Sequence, residues 1–186
     1  MNRGRAALVA LMDRYLRGLG EPYVTLLEVH KLLYFLQLAG EPLGLRFKKA
    51  PYGPHPEDLH EVLTAIEGQL VTGHLDGADE PYRQLDLIPG AVEDARAVLR
   101  ESAETRARFE RVADLIEGFE SPFGLELLAT VHWSVSSDAP ESREELVKLV
   151  HSWNDRKQRF LPCQIELAAD TLRDKRWSGD FETASH

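Results

Sequence analysis

The stretch TLLEVHKLLYFLQLAG, residues 25–40, constrains the fold of this chain more than any other. Leu26, Leu27, Val29, Leu32, Leu33, Phe35, Leu36 and Leu38 leave a helix here almost no polar face, so it must be covered by protein on nearly every side. Thr25 and Glu28 form a capping-box pattern, in which each side chain satisfies a free backbone N–H at the helix start. Gly40 ends the run. The rest of the chain has to supply apolar stripes that pack on this segment.

It does so repeatedly. RAALVALMDRYLRGLG places Leu8, Leu11, Met12, Tyr15 and Leu16 on one face before a glycine stop. EDLHEVLTAIEG turns Leu59, Val62, Leu63 and Ile66 inward. Helices follow at about 89–101, opened by Pro89, and at about 104–119. In SPFGLELLATVHWSVSS, Ser121 is an N-cap, Pro122 suits the first helical position, and Leu125, Leu128, Val131, His132 and Val135 share a face. SREELVKLVHSWN begins with a second capping box, Ser142 to Glu145. QIELAADTLRDKRW is the last helix, with Ile165, Leu172 and either Leu167 or Ala168 inward.

Two regions break the pattern. EPLGLRFKKAPYGPHP holds four prolines and two glycines, which forbid a regular helix and leave LRF as its extended part. Its Pro-Gly-Pro knot reads as a rigid corner before the next helix. Residues 69–88 read as two short strands, near 69–72 and 83–87, around a loop rich in glycine and aspartate. There is no internal repeat or domain break. The expectation is a mostly α fold, a compact bundle of about seven helices with a small β-hairpin near 69–88. It forms one domain over residues 1–186, with a disordered tail at 178–186.

Charge is unevenly distributed within the net −9. Residues 1–50 carry +4, residues 51–100 carry −7, residues 101–150 carry −6, and the remainder is neutral. So acidic a middle repels phosphates and argues against direct nucleic-acid binding through it. A winged helix-turn-helix fails on the same ground: the helix before the hairpin carries Glu57, Asp58, Glu61 and Glu67 and no lysine or arginine. The remaining route to DNA is the basic N-terminal part, with Arg3, Arg5, Arg14 and Arg17. No apolar run reaches a membrane span, no signal-peptide core opens the chain, and a lone Cys163 suits a reducing compartment, so a cytoplasmic location is expected.

His55 and His60 stand five apart, which turns their rings about 140° from each other on a helix, whereas metal pairs sit three or four apart. His30 and His132 lie on apolar helices and read as hydrogen-bonded core histidines. Cys163 reads as a buried structural thiol. No phosphate-binding glycine loop and no Gly-x-Ser-x-Gly elbow is present. No metal, no cofactor and no enzymatic activity are expected from these residues.

VTLLEVHKLLYFLQLAGEPLGLRFKKAPYGP resembles the Panacea antitoxin domain. Four stretches, TLLEVHKLLYFLQ, APYGPHPEDLHEVLTAIEG, SPFGLELLATVHW and VHSWNDRKQRF, resemble the C-terminal domain of DarG-type antitoxins and span about residues 25 to 160. The signature residues are Lys31, Leu32, Tyr34, Phe35, Tyr52, Gly53 and Pro54. The resemblance implies an antitoxin domain without the family's macrodomain, binding a DarT-like DNA ADP-ribosyltransferase. Joined to the charge map, it implies inhibition through an acidic, DNA-mimicking surface. Tyr52, His55, Glu57, Asp58, Glu61, His74, Asp76, Asp79, Glu80, Tyr82 and Asp86 would form that surface. The acidic helix pair at 101–120 competes for the role. The alternative is a DNA-binding autoregulator of its own operon.

Overall fold

The computed structural model describes residues 1–19, 23–64, 66–73 and 80–178. Among them are eight α-helices, a 3-10 turn and five short strands. The helices are α1 (Arg3–Leu19), α2 (Leu26–Leu38), α3 (Leu59–Thr64), α4 (Pro89–Glu101), α5 (Ala103–Ile116), α6 (Pro122–Asp138), α7 (Arg143–His151) and α8 (Pro162–Asp174). The strands are β1 (Val24–Thr25), β2 (Phe47–Ala50), β3 (Gly53–Pro56), β4 (Val71–Thr72) and β5 (Gln84–Leu87), and the 3-10 turn spans Asp155–Arg159. The mostly helical fold expected from the sequence is the fold observed.

Helix α2 occupies the centre, buried from Leu26 to Leu36. It meets two groups of helices: α1 with α4 and α5, and α6 with α7 and α8. The capping box forms, with Thr25 accepting from the Glu28 N–H and Glu28 accepting from the Thr25 N–H at 2.6 Å. Glu28 also accepts from the buried Tyr15 hydroxyl, which ties α1 to the start of α2. The second capping box is half realised. Ser142 accepts from the Glu145 N–H, but the Glu145 carboxylate turns to the Glu141 N–H at 2.7 Å.

Strands β4 and β5 pair antiparallel where the hairpin was expected, and β1 adds to the free edge of β5, giving the order β1-β5-β4. The loop residues His74, Asp76 and Asp79, the side chains of Leu59, His60 and Val62, and residues 179–186 of the tail lie outside the described residues. In α8, Ala168 turns inward and Leu167 is exposed. Cys163 is exposed, not buried as expected, because it stands in the first turn of α8 on the face away from Ile165.

The proline-rich stretch holds an element that the sequence did not suggest. Strands β2 and β3 form an antiparallel hairpin that turns at Pro51 and Tyr52, with Ala50 opposite Gly53 and Phe47 opposite Pro56. Pro54 and Pro56 stand at alternate positions, so both missing N–H donors fall on the edge turned away from β2, where the ladder needs none. Gly53 takes a positive φ of 95°. A Cβ there would come within 2.9 Å of Thr130 Oγ1 on α6, so only glycine lets the hairpin lie this close. No described helix is long and apolar enough to cross a membrane.

Candidate functional site: a cationic cleft at the hairpin turn

The turn of the β2–β3 hairpin is clamped from two sides. From α2, the Lys31 ammonium donates to the Pro54 carbonyl at 2.7 Å, on the edge that the prolines leave unpaired. From the segment after α7, Trp153 Nε1 donates to Ala50 O at 2.8 Å and Asn154 Nδ2 donates to Pro51 O at 3.0 Å. Tyr34 closes the far end, packing edge-on to Phe47 and donating to His132 Nδ1 at 2.8 Å. His132 Nε2 in turn donates to the Trp177 carbonyl. Burial lowers the His132 pKa to about 4, so the ring is a neutral core histidine.

Beside this clamp lies a buried charge cluster. Glu126, wholly buried on α6, accepts from Lys157 at 2.6 Å, Arg159 at 2.6 Å and Arg156 at 3.0 and 3.1 Å. Burial alone would raise the Glu126 pKa, but the Arg156 hydrogen bonds and the charges of Lys157 and Arg159 outweigh it and hold the carboxyl below its usual range. Glu126 is therefore ionised and its lone pairs are committed. Three cations thus pair with this one carboxylate, and the Lys31 ammonium lies near enough to feel its charge. Burial also brings Lys31 down to about 7, with the Lys157 charge adding to the shift and Glu126 opposing it.

At the clamped turn opens a cleft of about 370 Å³. Leu27, Ala50, Pro51, Tyr52 and Pro81 make its apolar walls, while Lys31, His30 and His55 bring polar groups to it. The two histidines meet through their Nδ1 atoms at 3.3 Å. Burial drives His30 well below its ordinary pKa, with Lys31 and His55 adding, so its ring is neutral. Its buried Nε2 makes no hydrogen bond among the described residues. The Arg156 guanidinium stacks 4.3 Å over the Tyr52 ring and donates to the Tyr82 hydroxyl at 2.5 Å, while Tyr52 and Tyr82 meet edge-on at 6.0 Å. A slot with apolar walls, a tyrosine ring and cations beside it suits a ligand that is both flat and anionic.

The residues expected to form one acidic surface do not gather into one. Tyr52, His55 and Tyr82 come together around the cleft. Glu57 and Asp58 instead face the base of the hairpin, where Arg46 pairs with Asp58 at 3.1 Å and Lys48 with Glu57 at 3.5 Å. Glu61 lines a different cavity, near Arg3 and Arg5. Glu80 and Asp86 are exposed. Among the described residues no group of three or more histidine, cysteine or acidic side chains could hold a metal ion.

Comparison with curated proteins bears directly on what this cleft serves. The chain is 40% identical over 168 residues to a DNA ADP-ribosyl glycohydrolase of Thermus aquaticus, covering 90% of this chain and 46% of the relative. It is 33% identical over 185 residues to proteins of the same name from Mycobacterium bovis and Mycobacterium tuberculosis, covering 92% of this chain and 53% of each relative. The chain thus spans about half the length of the curated relatives it matches. No family model matches it.

These relatives correct the functional expectation. They carry the name of a hydrolase, which overturns three linked readings: a Panacea or DarG-type antitoxin domain, a chain without enzymatic activity, and neutralisation of a toxin through DNA mimicry. The pairing of Glu57 and Asp58 with Arg46 and Lys48 is the physical counterpart, since carboxylates already matched by cations are weak mimics of phosphates. Sequence reasoning also missed Glu126, Arg156, Lys157 and Arg159. The available signals were a single carboxylate inside the apolar run GLELLATVHW and the basic run DRKQR.

Proposed function

We propose that this chain acts in the removal of ADP-ribose from DNA, as part of a DNA ADP-ribosyl glycohydrolase. The observation that carries this reading is the likeness along nine tenths of the chain to relatives bearing that name. The cleft supports it. ADP-ribose on DNA presents phosphates and flat rings together, and here Arg156, joined by Lys31 while it is protonated below about pH 7, supplies positive charge beside the Tyr52 ring. Glu126 serves as scaffold: saturated by three cations, it cannot take up a proton, and it fixes Arg156 behind Tyr52. The neutral His30 ring is the group in the cleft suited to accept or donate a hydrogen bond to a sugar or base edge.

The test is release of free ADP-ribose from an ADP-ribosylated oligonucleotide, followed by liquid chromatography and mass spectrometry. Release should exceed the protein-free blank. Lys31→Met, which removes a charge-assisted donor, should slow it by about tenfold or more. Release no faster than the blank would refute the reading. A Lys31→Met protein as fast as the parent would remove the cleft from it.

A further inference from the structure

A second feature lies away from the cleft, where α1, α4 and α5 pack on one another. Five arginines line one groove of about 400 Å³: Arg14 and Arg17 from α1, Arg96 and Arg100 from α4, and Arg106 from α5. Only two carboxylates line it with them. Asp13 pairs with Arg17 at 3.1 Å and with Arg96 at 2.9 Å, and Glu110 pairs with Arg14 at 3.3 Å. Five cations against two anions leave an excess of three positive charges, on a chain whose net charge is −9. The exposed Arg100 and Arg106 side chains make no hydrogen bond or ion pair among the described residues. The floor between them is apolar, formed by Ala10, Leu99 and the half-buried Phe109.

We propose that this groove is a docking site for single-stranded DNA, with backbone phosphates on the arginines and a base against Phe109. Guanidinium forks match phosphate oxygens bidentately. A cationic track with an aromatic ring in its floor is the arrangement that holds unpaired nucleic acid, because a base in a single strand can leave the stack and lie on the ring. A duplex offers phosphates but no free base face, so its fit here is poorer. The inference deepens the proposed removal of ADP-ribose from DNA by giving the strand a place. It rests on that reading only for the choice of DNA over RNA.

Fluorescence anisotropy with a dye-labelled, unmodified single-stranded oligonucleotide tests it without any hydrolysis. The chain should bind at low salt and weaken steeply as salt rises. Arg100→Glu with Arg106→Glu should weaken binding by about tenfold or more and flatten the salt dependence, with an unchanged melting temperature. Phe109→Leu keeps the floor apolar and should cost a further several-fold by removing the stacking face. Absence of binding at low salt overturns the proposal, as does a charge-reversed protein that binds like the parent. A duplex or an RNA of the same length that binds as tightly also overturns it. A parent chain that releases ADP-ribose but does not bind the strand at low salt would count against the groove alone. Intact binding without release would count against the proposed activity alone.

Discussion

At the scale of single residues, burial decides most of the unusual chemistry. Lys31 sits on a helix with no room for a polar face, yet its ammonium reaches a backbone carbonyl that a proline-containing strand leaves unpaired. Its pKa falls to about 7 because water is excluded and Lys157 is close. An unfolded lysine holds its proton to about pH 10.4. Between about pH 7 and 10 the unfolded chain therefore binds a proton that the folded chain has released. Stability must rise with pH across that window, and the cost of burying the charge is fully present below it. Lys157, lowered to about 8 mainly by burial, acts in the same direction over a narrower range. Urea midpoints at pH 6, 7.5 and 9 should climb for the parent and climb less for Lys31→Met; parallel slopes would refute the account.

Elements follow from the sequence where one force dominates. The central helix, the cap at Thr25 and the helix opening at Pro89 were all legible, because apolar periodicity and local hydrogen bonding point the same way. The β2–β3 hairpin was not. Three prolines within residues 51–56 read as breakers, and only pairing with β2 reveals that two of them sit where no donor is needed. Gly53 is the residue that lets this element approach α6. Gly53→Ala should cost about 1–3 kcal/mol, from the positive φ and from the encounter of the new methyl group with Thr130 Oγ1. Chemical denaturation would measure it, and a change below about 0.5 kcal/mol would contradict the close packing described.

Across the whole molecule, buried charge ties parts of the chain that are far apart in sequence. Glu126 joins α6 to the 3-10 turn through three cations, thirty or more residues away in each case. Glu126→Ala should destabilise the protein by about 3–5 kcal/mol, because it leaves the buried Lys157 without a counter-charge and strips Arg156 and Arg159 of their shared partner. The measurement is the shift in urea midpoint, and a loss under about 1 kcal/mol would mean that water or other groups compensate. Charge counted by segment misses such arrangements. The acidic stretches 51–100 and 101–150 contribute Arg96, Arg100 and Arg106 to the same groove as Arg14 and Arg17, so a strongly positive patch arises on a net-acidic chain.

The sequence by itself determined the helical class, the buried central helix, its cap and the position of the small antiparallel pairing near residues 69–88. Those depend on interactions between near neighbours, which periodicity and capping patterns record. Tertiary structure alone decided the hairpin at Tyr52, the cleft between Lys31, His30 and Tyr52, the three cations paired with Glu126, and the arginine groove. The hairpin pairs near neighbours, but its docking on Lys31 and Trp153, like the other features, joins residues separated by tens of positions. Their energies come from excluding water around groups that the one-dimensional order does not place together.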